Sequence, residues 1–450
     1  MRLGINKRTL IIAASSIGLL VALVAAAFFG FVRPSLAAPL STNPHVLSRN
    51  YLATHHAQAG YGDLGAQGTA RGQVSKIAHS HATATANGIP GIRGVSNWDG
   101  TFSENGFDAN GNPNSTWIYN ILGNYPQNGG TTTIDAPIIP VKVVLLGSDG
   151  TATYTVNPKN DVQPTVKSPV FSNANYDSSN TPTQFADAVQ RAEFHGVEKN
   201  NWHTLLAPSV KPEVTMKVPF GDWDVGLNSD GSVAFTLIDL TTFDNLLFPA
   251  TPADLHSTII GREELNGTMT TKNISTFLFD NVYLFENGDP NQCCILGFHG
   301  PDVEPGKNNL LNNYDMIYAS WITPGLFQGG AADITALSHE MAETYNDPFS
   351  GAYFPYAYVP WWFSGPDPSF TQCQPLMEVG DVVEVYSVVR SDVFPITIHG
   401  MSYHPQTEAL LQWFEGQTPS TAIDGAYSYP DESVLTSANV SQQPGCTGPA

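Results

Sequence analysis

Apolar and polar positions along the chain fall into three regimes. From Leu10 to Val32 nearly every position is apolar, behind a basic start of Arg2, Lys7 and Arg8. From residue 39 to about 95 the chain is rich in Ala, Gly, His, Ser and Thr and short of aromatics. Such a stretch buries little core and reads as a flexible linker or pro-segment. From about 96 onward, short apolar stretches recur between Gly, Pro, Asn and Asp, the signature of strands. Pro137–Leu146 is strand-like, Gly147-Ser148-Asp149-Gly150 turns, and Thr151–Val156 returns, which predicts a hairpin. Val214–Val218, Val233–Leu240, Thr276–Phe285 and Tyr314–Ile322 read as further strands, and strand and turn resume from Val393. Thr183–His195 reads as a helix with Phe185, Val189 and Ala192 on one face. Strands dominate over a few helices, so the expected class is α+β. Residues 96–450 are expected to form a single large domain, with 96–250 and 251–450 as its halves if it divides.

One helix stands out. Gly329-Gly330 precedes it and Asp347-Pro348 ends it, so the expected span is 331–346. Ile334, Leu337, Met341 and Tyr345 recur at helical spacing and should face the core. A second face carries Ala332, Ala336, His339, Glu343 and Asn346, with the two alanines leaving space above it. His339 and Glu343 are one turn apart, so their side chains can converge on one ion. Glu340 sits between them, giving His-Glu-x-x-Glu. In His-Glu-x-x-His zinc hydrolases the equivalent glutamate is the general base. A carboxylate at the fifth position is an acceptable zinc ligand, and it widens tolerance toward harder ions. A catalytic metal needs a third protein ligand, and Glu378 is the best candidate, with Asp381 as a carboxylate that orients His339. His299 and Tyr345 are candidates for assisting at the scissile carbonyl. The expected cofactor is zinc or another divalent metal.

The two ends and the charge set the compartment. The apolar run is followed by Arg33-Pro34-Ser35-Leu36-Ala37-Ala38, so residues 1–38 read as a signal peptide or an N-terminal anchor. Either places the rest outside the cytoplasm, extracellular or periplasmic. The chain carries 19 Lys and Arg against 40 Asp and Glu, and the leader holds four of the basic residues and no acid. So acidic a surface repels nucleic acid and anionic membranes, and it leaves the N-terminal segment as the one expected membrane contact. Cys293, Cys294, Cys373 and Cys446 are even in number for an oxidising compartment. The expected pairing joins one of Cys293 and Cys294 to Cys373 and the other to Cys446.

Gly297-Phe298-His299-Gly300, the strand ending Ala319-Ser320-Trp321, Ser338–Glu343 with Asn346-Asp347-Pro348, and Glu378-x-x-Asp381 resemble the EXORDIUM (phosphate-induced protein) family and its bacterial relatives. The likeness covers about residues 275–385. It implies an extracellular protein whose helix is similar to that of metallopeptidases. Two features depart from the family: Tyr353–Phe363 is rich in Tyr, Trp and Pro, and the cysteine lies before the acidic pair as Cys373.

Other segments carry less. Asp108-Ala109-Asn110-Gly111-Asn112 alternates oxygen ligands but has Pro113 where a calcium loop needs glycine, so it reads as a turn. His55-His56 and His79-Ser80-His81 fall in the linker. Trp361-Trp362-Phe363 fits either core packing or a glycan-binding cleft. No Gly-x-Ser-x-Gly elbow or phosphate-binding loop occurs. The expected function is therefore a secreted zincin-like metallopeptidase acting on peptide or protein. The rival is a non-enzymatic extracellular surface or carbohydrate-binding protein, with cell-wall glycan as its partner. An acid hydrolase using paired carboxylates without metal is a third reading.

Overall fold

The computed structural model describes residues 46–54, 91–103, 116–176, 181–349, 361–364, 371–374, 376–386 and 392–438. Thr42–Ala450 form one compact unit, and Met1–Ser41, which holds the expected leader, lies outside the described residues. Among the described residues no helix is long and apolar enough to cross a membrane.

The architecture is α+β, with mixed sheets. Its centre is β1 (Thr131–Leu146), which turns into antiparallel β2 (Ala152–Val156) as the hairpin pattern predicts. Along the length of β1 pair β3 (His203–Val210) and then β4 (Val214–Val218), both parallel to it. On its other side the sheet continues through β7 (Ile274–Asp280) and β11 (Leu311–Trp321) to the edge strand β10 (Gly297–Pro305). A smaller sheet contains β5 (Trp223–Leu227), β6 (Val233–Asp239), β8 (Val282–Phe285) and β9 (Cys293–Ile295).

The large sheet is covered on both faces, which explains why β1 is apolar at consecutive positions on either side of Lys142. Ile134, Ala136 and Ile138 point to one core, while Ile139, Val141, Val143 and Leu145 point to the other. The first core is closed by the helix α3 (Thr335–Asn346), whose Leu337, Met341 and Tyr345 pack beneath Leu278, Ile317 and Ala319. The second is closed by Phe243, Phe248 and the helix α2 (Ile259–Leu265). A third core holds α1 (Phe185–Glu193), inside the helix expected over 183–195.

Several expectations change. Thr276–Phe285 is not one strand: Asn281 takes a positive φ of 48°, and the chain leaves the large sheet as β7 and enters the small one as β8. Asparagine tolerates that left-handed backbone, and its side chain bonds Thr323 to hold the corner. The helix expected from 331 starts at Thr335, because Asp333 (φ 43°) pairs with Ile322 and gives its carboxylate to the Ile334 amide. Ala336 leaves no space, since it is buried against Leu326 and Phe327. Within the expected linker, Val46–Leu47 adds a parallel strand to β5 and Leu52 is fully buried. Cys293 and Cys294 lie side by side in β9, with both side chains buried in one apolar cluster. The side chain of Cys373 and all of Cys446 lie outside the described residues, as do His55, His56, His79, His81, Asp108–Asn112 and the side chains of Trp361–Phe363.

Buried acids give the fold a pH signature. Glu193 accepts hydrogen bonds from the Leu411 amide (3.0 Å) and Asn346 (3.3 Å), yet burial pushes its carboxyl up to about 8. Between the unfolded value of 4.5 and about 8, the folded chain holds a proton that the unfolded chain releases. Stability from this group is therefore complete below 4.5 and lost as pH rises through about 8. Glu193→Gln should make the fall in unfolding temperature between pH 5 and 8 shallower by about one proton's worth, measured by thermal unfolding across that range.

Candidate metal centre

Three elements converge on one cluster. α3 supplies His339, Glu340 and Glu343, spaced so that His339 and Glu343 stack on one face. β10 supplies His299: alternation sends Phe298 into the core beneath α2, so His299, opposite Ile317, faces α3. Glu378 immediately precedes α4 (Val379–Tyr386), and Asp381 lies in its first turn. All six side chains are buried, none more than 4% exposed.

Glu343 is the hub. Its Oε1 accepts the backbone N–H groups of Gly380 (3.1 Å) and Asp381 (3.2 Å), the first-turn amides of α4. Its Oε2 lies 3.0 Å from His339 Nε2 and 3.4 Å from His299 Nδ1. Glu340 Oε2 is 3.3 Å from His299 Nδ1, Asp381 Oδ1 3.6 Å from His339 Nε2, and Glu378 Oε2 3.8 Å from His299 Nε2. Two overlapping sets can hold a metal ion, His339–Glu340–Glu343 and His299–Glu343–Glu378, and Glu343 belongs to both. The expected ligand trio is thus split: Glu378 shares a set with His299 rather than with His339.

The electrostatics call for positive charge. Burial alone would lower both imidazoles, but Glu378, Glu340 and Glu343 beside His299, and Glu343 and Glu340 beside His339, hold each well above its ordinary value. Burial also raises Glu343, yet the two imidazoles overcome it and bring that carboxyl down to about 2. Glu340, Glu378 and Asp381 are held up, chiefly by burial. Behind them Glu408 is fully buried and also raised. Both oxygens of Glu378, both of Glu408 and Oδ2 of Asp381 have no hydrogen-bond partner. Groups this buried and this poorly satisfied fit a bound cation.

Three supporting residues were not singled out from the sequence. Gly380 lets α4 approach His339: a Cβ there would lie 2.4 Å from Nδ1. Gly297 does the same for Glu340, with Cγ and Oε1 at 2.8 Å from such a Cβ. Gln406 accepts from His339 Nδ1 (3.2 Å) while its own amide donates to the Gly380 carbonyl (2.9 Å). That acceptor keeps a proton on Nδ1 and leaves Nε2 as the ring nitrogen that faces Glu343. The glycines sit inside quoted motifs, so their signal was local; Gln406 lies 67 positions from its partner and gave none.

No family model, curated protein or solved structure matches the chain. The site therefore has to be read from its own geometry. Of the expected residues, His299, His339, Glu340, Glu343, Glu378 and Asp381 are brought together. Tyr345 is not among them: it lies on the core face of α3, where its hydroxyl donates to the Thr204 carbonyl (3.2 Å). Gln406→Leu should weaken metal binding by about 10–100-fold, as read by competition with a chromogenic chelator, and lower the unfolding temperature, because it leaves His339 Nδ1 and the Gly380 carbonyl unpaired.

Proposed function

We propose that the chain is an exported, zincin-like metal-dependent hydrolase that cleaves peptide bonds, with one divalent ion seated at Glu343. The observation that carries this reading is the spacing around Glu343 Oε2. Donor atoms 2.0–2.2 Å from a tetrahedral ion stand about 3.3–3.6 Å apart. The nitrogens facing that oxygen lie at 3.4 Å, within that range, and at 3.0 Å, a little inside it. A mixed imidazole and carboxylate donor set suits zinc. His339, His299 and Glu378 complete the ligand shell, and Asp381 and Gln406 orient His339. Glu340 is the general base, beside the hub and with its carboxyl held up by burial. The bound ion supplies Lewis-acid polarisation of the substrate carbonyl. The order of motifs from Gly297 to Asp381, similar to that of the EXORDIUM group, and the apolar leader support an extracellular setting.

The first test is metal content of purified residues 39–450, wild type beside His339→Ala. About one equivalent of zinc, lost in the variant, is expected. Glu340→Gln should then keep its metal and lose turnover on a peptide panel; unchanged turnover would remove Glu340 from the mechanism. A second reading is favoured by one observation, that no ligand is more than 4% exposed. Structural metal sites are closed and catalytic ones keep an open position. In that case the same protein holds zinc, cleaves nothing on the panel, and works as a surface or glycan-binding protein.

A further inference from the structure

The strand that carries His299 has a second set of donors on its opposite face. Alternation along β10 turns Asp302 and Glu304 away from α3 and toward the core covered by α2. There they meet Glu264 of α2, and one carboxylate oxygen from each of the three lies within 4.8 Å of the others. Asp302 is only 7% exposed, yet its Oδ2 has no hydrogen-bond partner, and the buried Oε1 of Glu264 has none either. Among the described residues no Lys, Arg or His nitrogen forms an ion pair with any of the three. Tyr314, directly across the ladder from Asp302, brings no positive charge.

Three carboxylates this close repel one another unless protons or a cation intervene. Burial and the neighbouring acids push Glu264 up to about 10, and burial with Asp302 beside it pushes Glu304 to about 7; burial raises Asp302 to about 6 against the hydrogen bond it shares with Glu264. A donor set of oxygens alone, from flexible side chains on two elements, suits a hard cation, calcium above zinc. We propose that Glu264, Asp302 and Glu304 form a calcium site that fastens α2 to β10. This site is separate from the Glu343 centre and does not depend on how that centre is read. Its role is to hold the strand whose other face presents His299.

The test is thermal unfolding of the full chain after chelator treatment and dialysis, titrated with calcium chloride. Saturating calcium should raise the unfolding temperature by about 2–4 °C. The rise should be the same in His339→Ala, which reports on the other centre, and should vanish in Asp302→Asn. Glu304→Gln, at a half-exposed position, gives the same result where Asp302→Asn folds poorly. No rise in the wild type, with a higher baseline in Asp302→Asn, would mean that the carboxylates share a proton and would overturn the site. A rise that survives both substitutions would overturn it as well.

Discussion

Glu343→Ala is expected to purify with less than about a tenth of the wild-type zinc and to unfold at a lower temperature. Both effects have one origin. Glu343 belongs to both candidate ligand sets, so its removal empties each of its only shared donor. Its Oε1 also accepts the amides of Gly380 and Asp381, both of which are buried. Leaving two buried donors unpaired costs about 2–4 kcal/mol. Glu343→Gln separates the two effects. The amide oxygen still accepts from α4, so the fold should hold, while the neutral side chain no longer binds the ion. Metal analysis and thermal unfolding of the pair decide the matter. Wild-type zinc in both variants would place any ion elsewhere.

Gly380→Ala is the second large effect. The added Cβ would sit 2.4 Å from Nδ1 and 2.6 Å from Cε1 of His339. The ring cannot retreat, because it is fully buried and bonded to Gln406. Either α4 shifts off α3 or the imidazole rotates, and both separate Glu343 from its partners. The expected loss is about 2–3 kcal/mol, with metal affinity falling alongside it. Gly94→Ala is the control: its Cβ would meet neighbours at 3.6–3.7 Å, ordinary packing distances, so a change within about 0.5 kcal/mol is expected. Equal loss in both variants would mean that Gly380 holds no special position.

Local signals in the sequence were sufficient where the structure is local. The hairpin of β1 and β2, the helix bearing His339 and its core stripe of Leu337, Met341 and Tyr345 all follow from periodicity and turn chemistry. The site residues were legible because short motifs mark them, and Glu378 and Asp381 because an acidic pair follows the helix. What periodicity misses is decided by packing at a distance. α3 looks amphipathic but is buried all round, since its polar face meets acids and imidazoles from β10 and α4 rather than water. The break at Asn281 is marked only by the polar pair Asp280-Asn281 between two apolar stretches, because both strands it joins are buried. His299 was expected to act on a substrate carbonyl; only the strand pairing shows that it stands among the ligands.

Among the described residues β10 is the edge of its sheet, paired only with β11, and its Pro301 and Pro305 bring no ladder donor, which an edge tolerates. The place of His299 is therefore a matter of parity. If β10 slipped by one residue along β11, every side chain would change face. His299 would enter the apolar core beneath α2, and the acids at 302 and 304 would turn toward α3. No partial version of that error exists, so the nine-residue register of a single edge strand sets the composition of both faces at once.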